Sequence, residues 1–466
     1  MIHKNSFPRL AHIALILTLT LTFALPASAA WKEKVLYSFQ GGTDGSVPIG
    51  SLIRDSAGNI YGATQQGGAT TCRSPYPCGT VFQLVPPAKQ GAPWTENVLH
   101  VFQGNANNDG ATPWGGLVMD SSGNLYGITA YGGTGNCVLL GESVGCGAVY
   151  EMSPPKQKGG AWTETILYSF PTSKQGYVPN GDLVFDKSGN LYGATIFGGT
   201  KGTTCDVYYG GQCGVVFEIS PPKQKGGAWT QKVLHNFAGI ASGKQYGDGA
   251  EPNGGLVLDS EGGVYGTTAN GGNQGCKTTS SIGCGTAFEL KPPTKVGASW
   301  TEERIHVFTG GTDGGGPNGG LTFDQHGALY GTAGGGGSTS QGVVFRLAAP
   351  KHSSKWVETV LHRFSASGDA PCCPMAKVTL DASGNIYSVS LSGKYFRGTA
   401  FQLKRPATHE APWSFAILYT FEGTPDAAYP EAGLIFDKAG DLYSTTKGGG
   451  TGTCSGGCGT VFEIEP

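Results

Sequence analysis

Seven tryptophans, Trp31, Trp94, Trp162, Trp229, Trp300, Trp356 and Trp413, open seven near-copies of one sequence unit, spaced 56 to 71 residues apart. A repeat running through the whole chain restricts its fold more than any single motif does. The clearest copy of the unit's centre is DLVFDKSGNLYGATIFGG, residues 182–199. Leu183, Val184 and Phe185 form a short apolar strand, residues 186–189 a tight turn, and residues 191–195 the returning strand. Asp suits the first position of such a turn because its carboxylate accepts backbone N–H bonds, and Gly suits the last. The other copies place Asp55, Asp120, Asp259, Asp324, Asp381 and Asp437 before the turn. Their return strands carry Tyr61, Tyr126, Tyr265, Tyr330, Tyr387 and Tyr443, matching Tyr192.

Two further strands complete each period. GTVFQL at residues 79–84 recurs from Gly147, Gly214, Gly285, Gly342, Gly398 and Gly459, and WKEKVLYSF at residues 31–39 recurs from each later Trp. Four strands in such a period fit a propeller blade, whereas a solenoid coil takes about 20 to 30 residues. The chain starts with a Trp strand that nothing precedes, and its last copy lacks one. Residues 31–39 are therefore expected to complete the blade of residues 433–464. That closes an all-β, seven-bladed β-propeller of four-stranded antiparallel blades without a wide unpaired edge. Phe39, Phe102, Phe170, Phe237, Phe308, Phe364 and Phe421, with the tryptophans, are expected between blades. The small residues after each Tyr, Gly62 and its equivalents, are expected to admit a bulky group of the next blade.

The DxxGNLYGTT, GTVFEL and WTExVLYSF units resemble the GloVer tandem repeat of exported bacterial proteins, over nearly all of the chain after residue 29. The resemblance implies a propeller-like exported repeat protein and names no reaction.

Composition agrees with many short strands: 79 glycines, 10% aromatic and 14% charged residues in 466. Lys4 and Arg9, an apolar run from Ile13 to Leu25, and Ala27, Ser28 and Ala29 read as a signal peptide over residues 1–29. Residues 30–466 are then one domain. Cleavage leaves 29 basic against 33 acidic residues, a balance of −4, which disfavours nucleic acid or an anionic membrane as partner. No second apolar stretch approaches the roughly 18 residues of a span, and the chain stops at VFEIEP. A monomer, secreted or periplasmic, is expected.

Cysteine placement points the same way. Cys72 and Cys78, Cys137 and Cys146, Cys205 and Cys213, Cys276 and Cys284, and Cys454 and Cys458 each fall within one loop. Local disulfides are expected in an exported chain. Zinc is disfavoured, because the pairs lie on different blades with no His repeating beside them. Cys372 and Cys373 are adjacent and read as a vicinal disulfide or two free thiols. If the LVxD strand is innermost, these loops share one face with the GGTDGxxPxGG loops, and function held on loops belongs there.

Chemistry is harder to read from this chain. His100, His235, His306 and His362 are dispersed one per blade and read as structural. Asp44, Asp109, Asp248, Asp313, Asp369 and Asp426 come from equivalent loops. They either ring the channel mouth, where they would hold a cation, or cap turns. The glycine pairs open no helix, so phosphate-loop readings fail, and nothing isolates one carboxylate pair as acid and base. No cofactor is expected. Blades 2 and 3 add Trp114, Tyr131, Tyr177, Phe197, Tyr208 and Tyr209 to the elaborate face. These either stack on a ligand or cover the disulfide loops and one another. The expected function is a binding module for extracellular carbohydrate or protein on that face. The alternatives are a polysaccharide lyase or hydrolase at the channel mouth, or a structural component of the envelope.

Overall fold

The seven repeats fold into seven four-stranded antiparallel sheets, each meandering from an inner strand outward to a tryptophan strand. The computed structural model describes residues 31–466 apart from 69–77, 90, 140, 158, 200–204, 206–211, 241–246, 274, 277–281, 296, 350–354, 366–369 and 409–410. Residues 1–29, expected to be the signal peptide, lie outside the described residues. Blade 3 shows the pattern, with Tyr177–Phe185, Leu191–Phe197, Val215–Ser220 and Thr230–Asn236 side by side in that order. Its third strand buries Val215, Val216, Phe217 and Ile219 completely, because it is covered on both faces by neighbouring blades. The outer strand alternates instead, with Thr230 exposed and Gln231 half-buried, since one of its faces meets water.

The ring closes as expected. Lys32–Ser38 pairs antiparallel with Thr460–Glu465, from Lys32 opposite Glu465 to Ser38 opposite Thr460. Thr460–Glu465 in turn pairs with Leu442–Thr446, and that with the inner strand Ile435–Phe436. The fourth strand of blade 7 thus comes from the opposite end of the chain.

Aromatic rings join each blade to the next. The Phe at the end of every outer strand meets edge-on an aromatic ring in the third strand of the following blade. Phe39 lies 5.1 Å from Phe82, Phe170 5.1 Å from Phe217, and Phe421 5.0 Å from Phe462. Tyr150 takes the acceptor place against Phe102. The tryptophans pack the same junctions from outside: Trp162 lies on Tyr61, Trp356 on Tyr265 and Trp31 on Tyr387. The small residue after each Tyr has another neighbour than the one expected. A Cβ on Gly62 would lie 2.6 Å from Phe82 and 2.8 Å from Leu52, both in its own blade, because Gly62 pairs directly across from Phe82. The space at Gly62 therefore seats the ring that receives the neighbouring blade's Phe.

A second lock recurs at all seven junctions. The Gly opening each third strand leaves room for the Pro that leads into the next blade's inner strand. A Cβ on Gly459 would stand 2.5 Å from Pro48 Cδ. The residue before that Pro is left-handed, as at Val47 (φ 59°), Cys373 (φ 62°) and Tyr429 (φ 59°), and Val47 N–H donates to Cys458 O at 2.9 Å. That sharp bend turns the chain from the loop-rich face into the channel wall.

The DxxGN turns have the role expected of them. Asp186 Oδ1 accepts from the N–H groups of Ser188 and Asn190, and Oδ2 accepts from the Asn190 amide and the Tyr192 hydroxyl. Burial opposes its ionisation, but these hydrogen bonds outweigh burial and hold the carboxyl below its ordinary range. Asp186→Ala strands two backbone donors and the Tyr192 hydroxyl, and is expected to cost about 1–3 kcal/mol. Urea unfolding reads this as a lower midpoint at constant slope. A variant unfolding at the same midpoint would assign the Asp no structural part.

Candidate functional site

The seven inner strands surround an axial channel whose wall is built in tiers. Each strand is led in by a Pro followed by one variable residue, and these residues form the mouth: Ile49, Trp114, Asn180, Asn253, Asn318, Met375 and Glu431. Two positions further along, the wall carries Ser51, Asp182 and Lys377 in blades 1, 3 and 6, and Gly in the other four blades. Deeper still it turns apolar, with Ile53, Val118, Val184, Val257 and Ile435 joined by Thr322 and Thr379. Thr322 donates to Val378 O at 2.7 Å and Thr379 to Leu434 O, so both hydroxyls are spent tying adjacent inner strands together. The upper two tiers enclose about 270 Å³ on the face that carries the cysteine loops.

Polar groups at the mouth are ordered by one another. Asn180 Nδ2 donates to Asn253 Oδ1 at 2.5 Å, and Asn253 Nδ2 donates to Asn318 Oδ1 at 3.1 Å, an amide ladder across three blades. Each amide nitrogen carries a second N–H. Trp114 holds the ladder's next position in blade 2, and its carbonyl accepts from Gly181 N–H at 3.1 Å. Asp182 Oδ1 accepts from Gly116 N–H at 2.6 Å. The Lys377 ammonium makes no hydrogen bond or ion pair among the described residues. Asp182 and Lys377 stand three blades apart in a ring of seven, nearly opposite each other.

Of the described aromatics expected on the elaborate face, Trp114 is the one that lines the cavity. Tyr131, Tyr177 and Phe197 are 9% exposed or less. They stack in series, Tyr131 on Tyr177 at 6.4 Å and Tyr177 on Phe197 at 6.3 Å, and pack with Cys137 and Cys146. Of the two readings of these rings, ligand stacking or cover for the disulfide loops and one another, their burial fits the second, since it removes more apolar area from water. Tyr208 and Tyr209 lie outside the described residues.

Disulfides join Cys137 to Cys146, Cys205 to Cys213, Cys276 to Cys284, Cys454 to Cys458, and Cys372 to its neighbour Cys373. Cys78 is also disulfide-bonded, and Cys72 lies outside the described residues. Cys373 occupies blade 6's left-handed position before Pro374, so the vicinal bridge sits on an inter-blade lock.

The acidic loop residues sit elsewhere than the channel mouth. Asp44, Asp109, Asp248, Asp313 and Asp426 are absent from the cavity lining and face the ends of the outer strands. Asp44 accepts from the Tyr37 hydroxyl and Gln40 N–H, and Asp426 from the Tyr419 hydroxyl and Glu422 N–H. His100, His235 and His306 take the tyrosine's place against Asp109, Asp248 and Asp313, at 3.1, 3.1 and 3.5 Å. Asp369 lies outside the described residues. A Glu from the next blade's outer strand joins each pair: Glu96, Glu33, Glu164, Glu302 and Glu358. Each of these has one fully buried oxygen without a hydrogen-bond partner. Burial first, and the neighbouring Asp second, push Glu33 up to about 8 and Glu96 and Glu164 up to about 7. Burial likewise raises Glu302 to about 7 and raises Glu358. In one copy His100, Asp109 and Glu164 offer ligand atoms within 4.8 Å of one another. A tyrosine hydroxyl serves equally at the same position, so the imidazole's shared task is to hold the Asp.

Asp182, Lys377 and the Asn ladder are functional candidates that reading one motif at a time passes over. The signal was present in the aligned repeats: the position before the inner-strand Leu or Val is Gly or Ser in five copies and charged in two.

Fold and cavity together define a seven-bladed β-propeller with an axial cavity open to its loop-rich face. The chain belongs to the Gloeobacter/Verrucomicrobia repeat family, whose model matches residues 137–373. No curated protein matches it. Among solved structures, a fungal alcohol oxidase of the AA5 family, in complex with copper, is similar at 13% identity, covering 93% of this chain and 76% of that one, with a TM-score of 0.53. This likeness concerns the fold alone. A protein of unknown function from Dyadobacter fermentans matches at 12% identity over 94% of this chain and 98% of its own, with a TM-score of 0.41. A calcium structure of a Trichoderma reesei carbohydrate-active enzyme of family AA12 matches at 11% identity over 94% and 96%, with a TM-score of 0.39. No helix among the described residues is long and apolar enough to cross a membrane.

Proposed function

We propose that this is an exported, disulfide-stabilised propeller that binds carbohydrate in the axial cavity of its cysteine-loop face. The carrying observation is where the ring's sevenfold regularity breaks. The blades repeat one another in core, turns and junctions, and diverge at the mouth, where Trp114, the Asn ladder, Asp182 and Lys377 converge. An indole face suits the apolar side of a sugar ring, and amide, carboxylate and ammonium groups suit its hydroxyls. A cavity of about 270 Å³ equals roughly nine waters at ~30 Å³ each, the room of one sugar ring. Five described disulfides fit an oxidising compartment outside the cytoplasm.

A glycan array followed by calorimetry tests this reading. Trp114→Ala is expected to weaken the best-bound glycan at least tenfold while the native circular-dichroism spectrum is kept, with some loss of Tm because the half-buried ring also packs against the core shared by blades 2 and 3. Absence of any bound glycan, or equal binding by the variant, would remove the reading.

A further inference from the structure

We propose that the carbohydrate site extends beyond the axial cavity, over Glu431 and along a groove across blades 6, 7 and 1, to an aromatic ledge at Tyr395 and Phe396. The ligand would then be an oligosaccharide of several rings. This inference rests on the carbohydrate reading above.

Three observations carry it. Glu431 lines both the axial cavity and a groove of about 690 Å³ on the same face, so the two spaces adjoin at its side chain. The groove is walled by Val47, Leu391, Phe396, Tyr429 and Lys447, mixing apolar surface with the Glu431–Lys447 pair at 3.5 Å. That pair offers an acceptor and a donor to hydroxyls while adding no net charge, which favours a neutral polar ligand.

The ledge is the second observation. Phe396 is 77% and Tyr395 49% exposed, and both are left-handed, with φ of 54° and 64°. A left-handed backbone costs a bulky residue on the order of 1–2 kcal/mol. An exposed phenyl ring recovers none of that through burial. Two such residues in succession hold apolar rings out into water at an energetic cost, a pattern that collects at ligand clamps. Tyr395 and Phe396 thus form an exposed aromatic pair on blade 6.

The ledge is also braced, which is the third observation. The Lys394 ammonium lies 5.0 Å from the centre of the Tyr395 ring. The next residue, Arg397, lies over the Tyr429 ring at 5.2 Å and donates to its hydroxyl. Tyr429 in turn holds the left-handed position before Pro430, at the blade 6 to blade 7 lock. The ledge is therefore tied to the scaffold beside the groove it ends.

Calorimetric titration of the exported chain with one neutral glycan series, from monosaccharide to hexasaccharide, tests the proposal. Affinity is expected to rise about tenfold or more between one ring and four. Phe396→Ala should abolish that gain, leave the monosaccharide's affinity unchanged and, since the ring is exposed, leave Tm unchanged. Trp114→Ala should weaken every length alike. Equal affinity at all lengths, or a length gain untouched by Phe396→Ala, would overturn the extended site while the cavity reading stood. Binding of extended peptides with no response to any glycan would overturn both.

Discussion

A chain starting at Gln40 is expected to lose its cooperative thermal transition, whereas one starting at Trp31 keeps it. The nine residues that differ supply the fourth strand of blade 7, six residue pairings with Thr460–Glu465, and the buried side chains of Leu36 and Phe39. Their loss leaves Phe82 without its partner ring and bares a strand edge at a blade junction. Removing a buried Leu or Phe side chain costs about 2–5 kcal/mol each. With the strand's hydrogen bonds added, the loss is on the order of 10 kcal/mol, comparable with the whole stability of an ordinary domain. Near-ultraviolet circular dichroism during heating, with size-exclusion chromatography, reads the result. Equal melting of the two chains would show that the ring does not depend on its closure.

Stability is also expected to be greater at pH 5 than at pH 8. Five buried glutamic carboxyls, Glu33, Glu96, Glu164, Glu302 and Glu358, have folded-state pKa values raised above the ordinary value, four of them to about 7 or 8. A raised carboxyl pKa means that the folded state binds more protons than the unfolded state across this range. Stability is therefore fully present below about pH 4.5 and lost as pH rises through 7 to 8. Each unit of pKa difference corresponds to about 1.4 kcal/mol. Because several of these groups are only half-buried, that figure is discounted strongly for solvent screening. The ring should still lose on the order of 5 kcal/mol, or roughly 5–10 °C in Tm, between pH 5 and 8. Asp186 and Asp313, whose carboxyls are held low, set the opposite limit, below about pH 4. Glu33→Gln, whose amide donates where the protonated acid would, should flatten part of the alkaline loss. A Tm that rises from pH 5 to pH 8 would show these glutamates to be ionised in the fold.

The sequence made the fold legible because its evidence is repeated seven times. Any one LVxD strand is too short to trust, but seven in phase with Tyr, Gly and Trp define four strands per blade. The unmatched Trp strand at residues 31–39 then identifies its partner by elimination. Within the candidate site the opposite holds, because the residues proposed to bind depart from the repeat. Trp114 was visible as such a departure. Tyr131, Tyr177 and Phe197 looked alike in sequence and proved buried, since whether an aromatic faces water or a neighbouring loop depends on how the disulfide loop folds over it.

By itself, then, the sequence determined the blade count, the closure and the turns, since these follow from local strand periodicity and turn chemistry copied along the chain. Only the tertiary structure decided which side chains share the channel mouth, because Trp114, Asp182, Lys377 and Glu431 are far apart in sequence and meet when the ring brings seven inner strands around one axis. Tertiary structure likewise placed the acidic loop residues against the outer strands and gathered five glutamates at blade junctions, where burial, with a second carboxylate beside each, raises their pKa values.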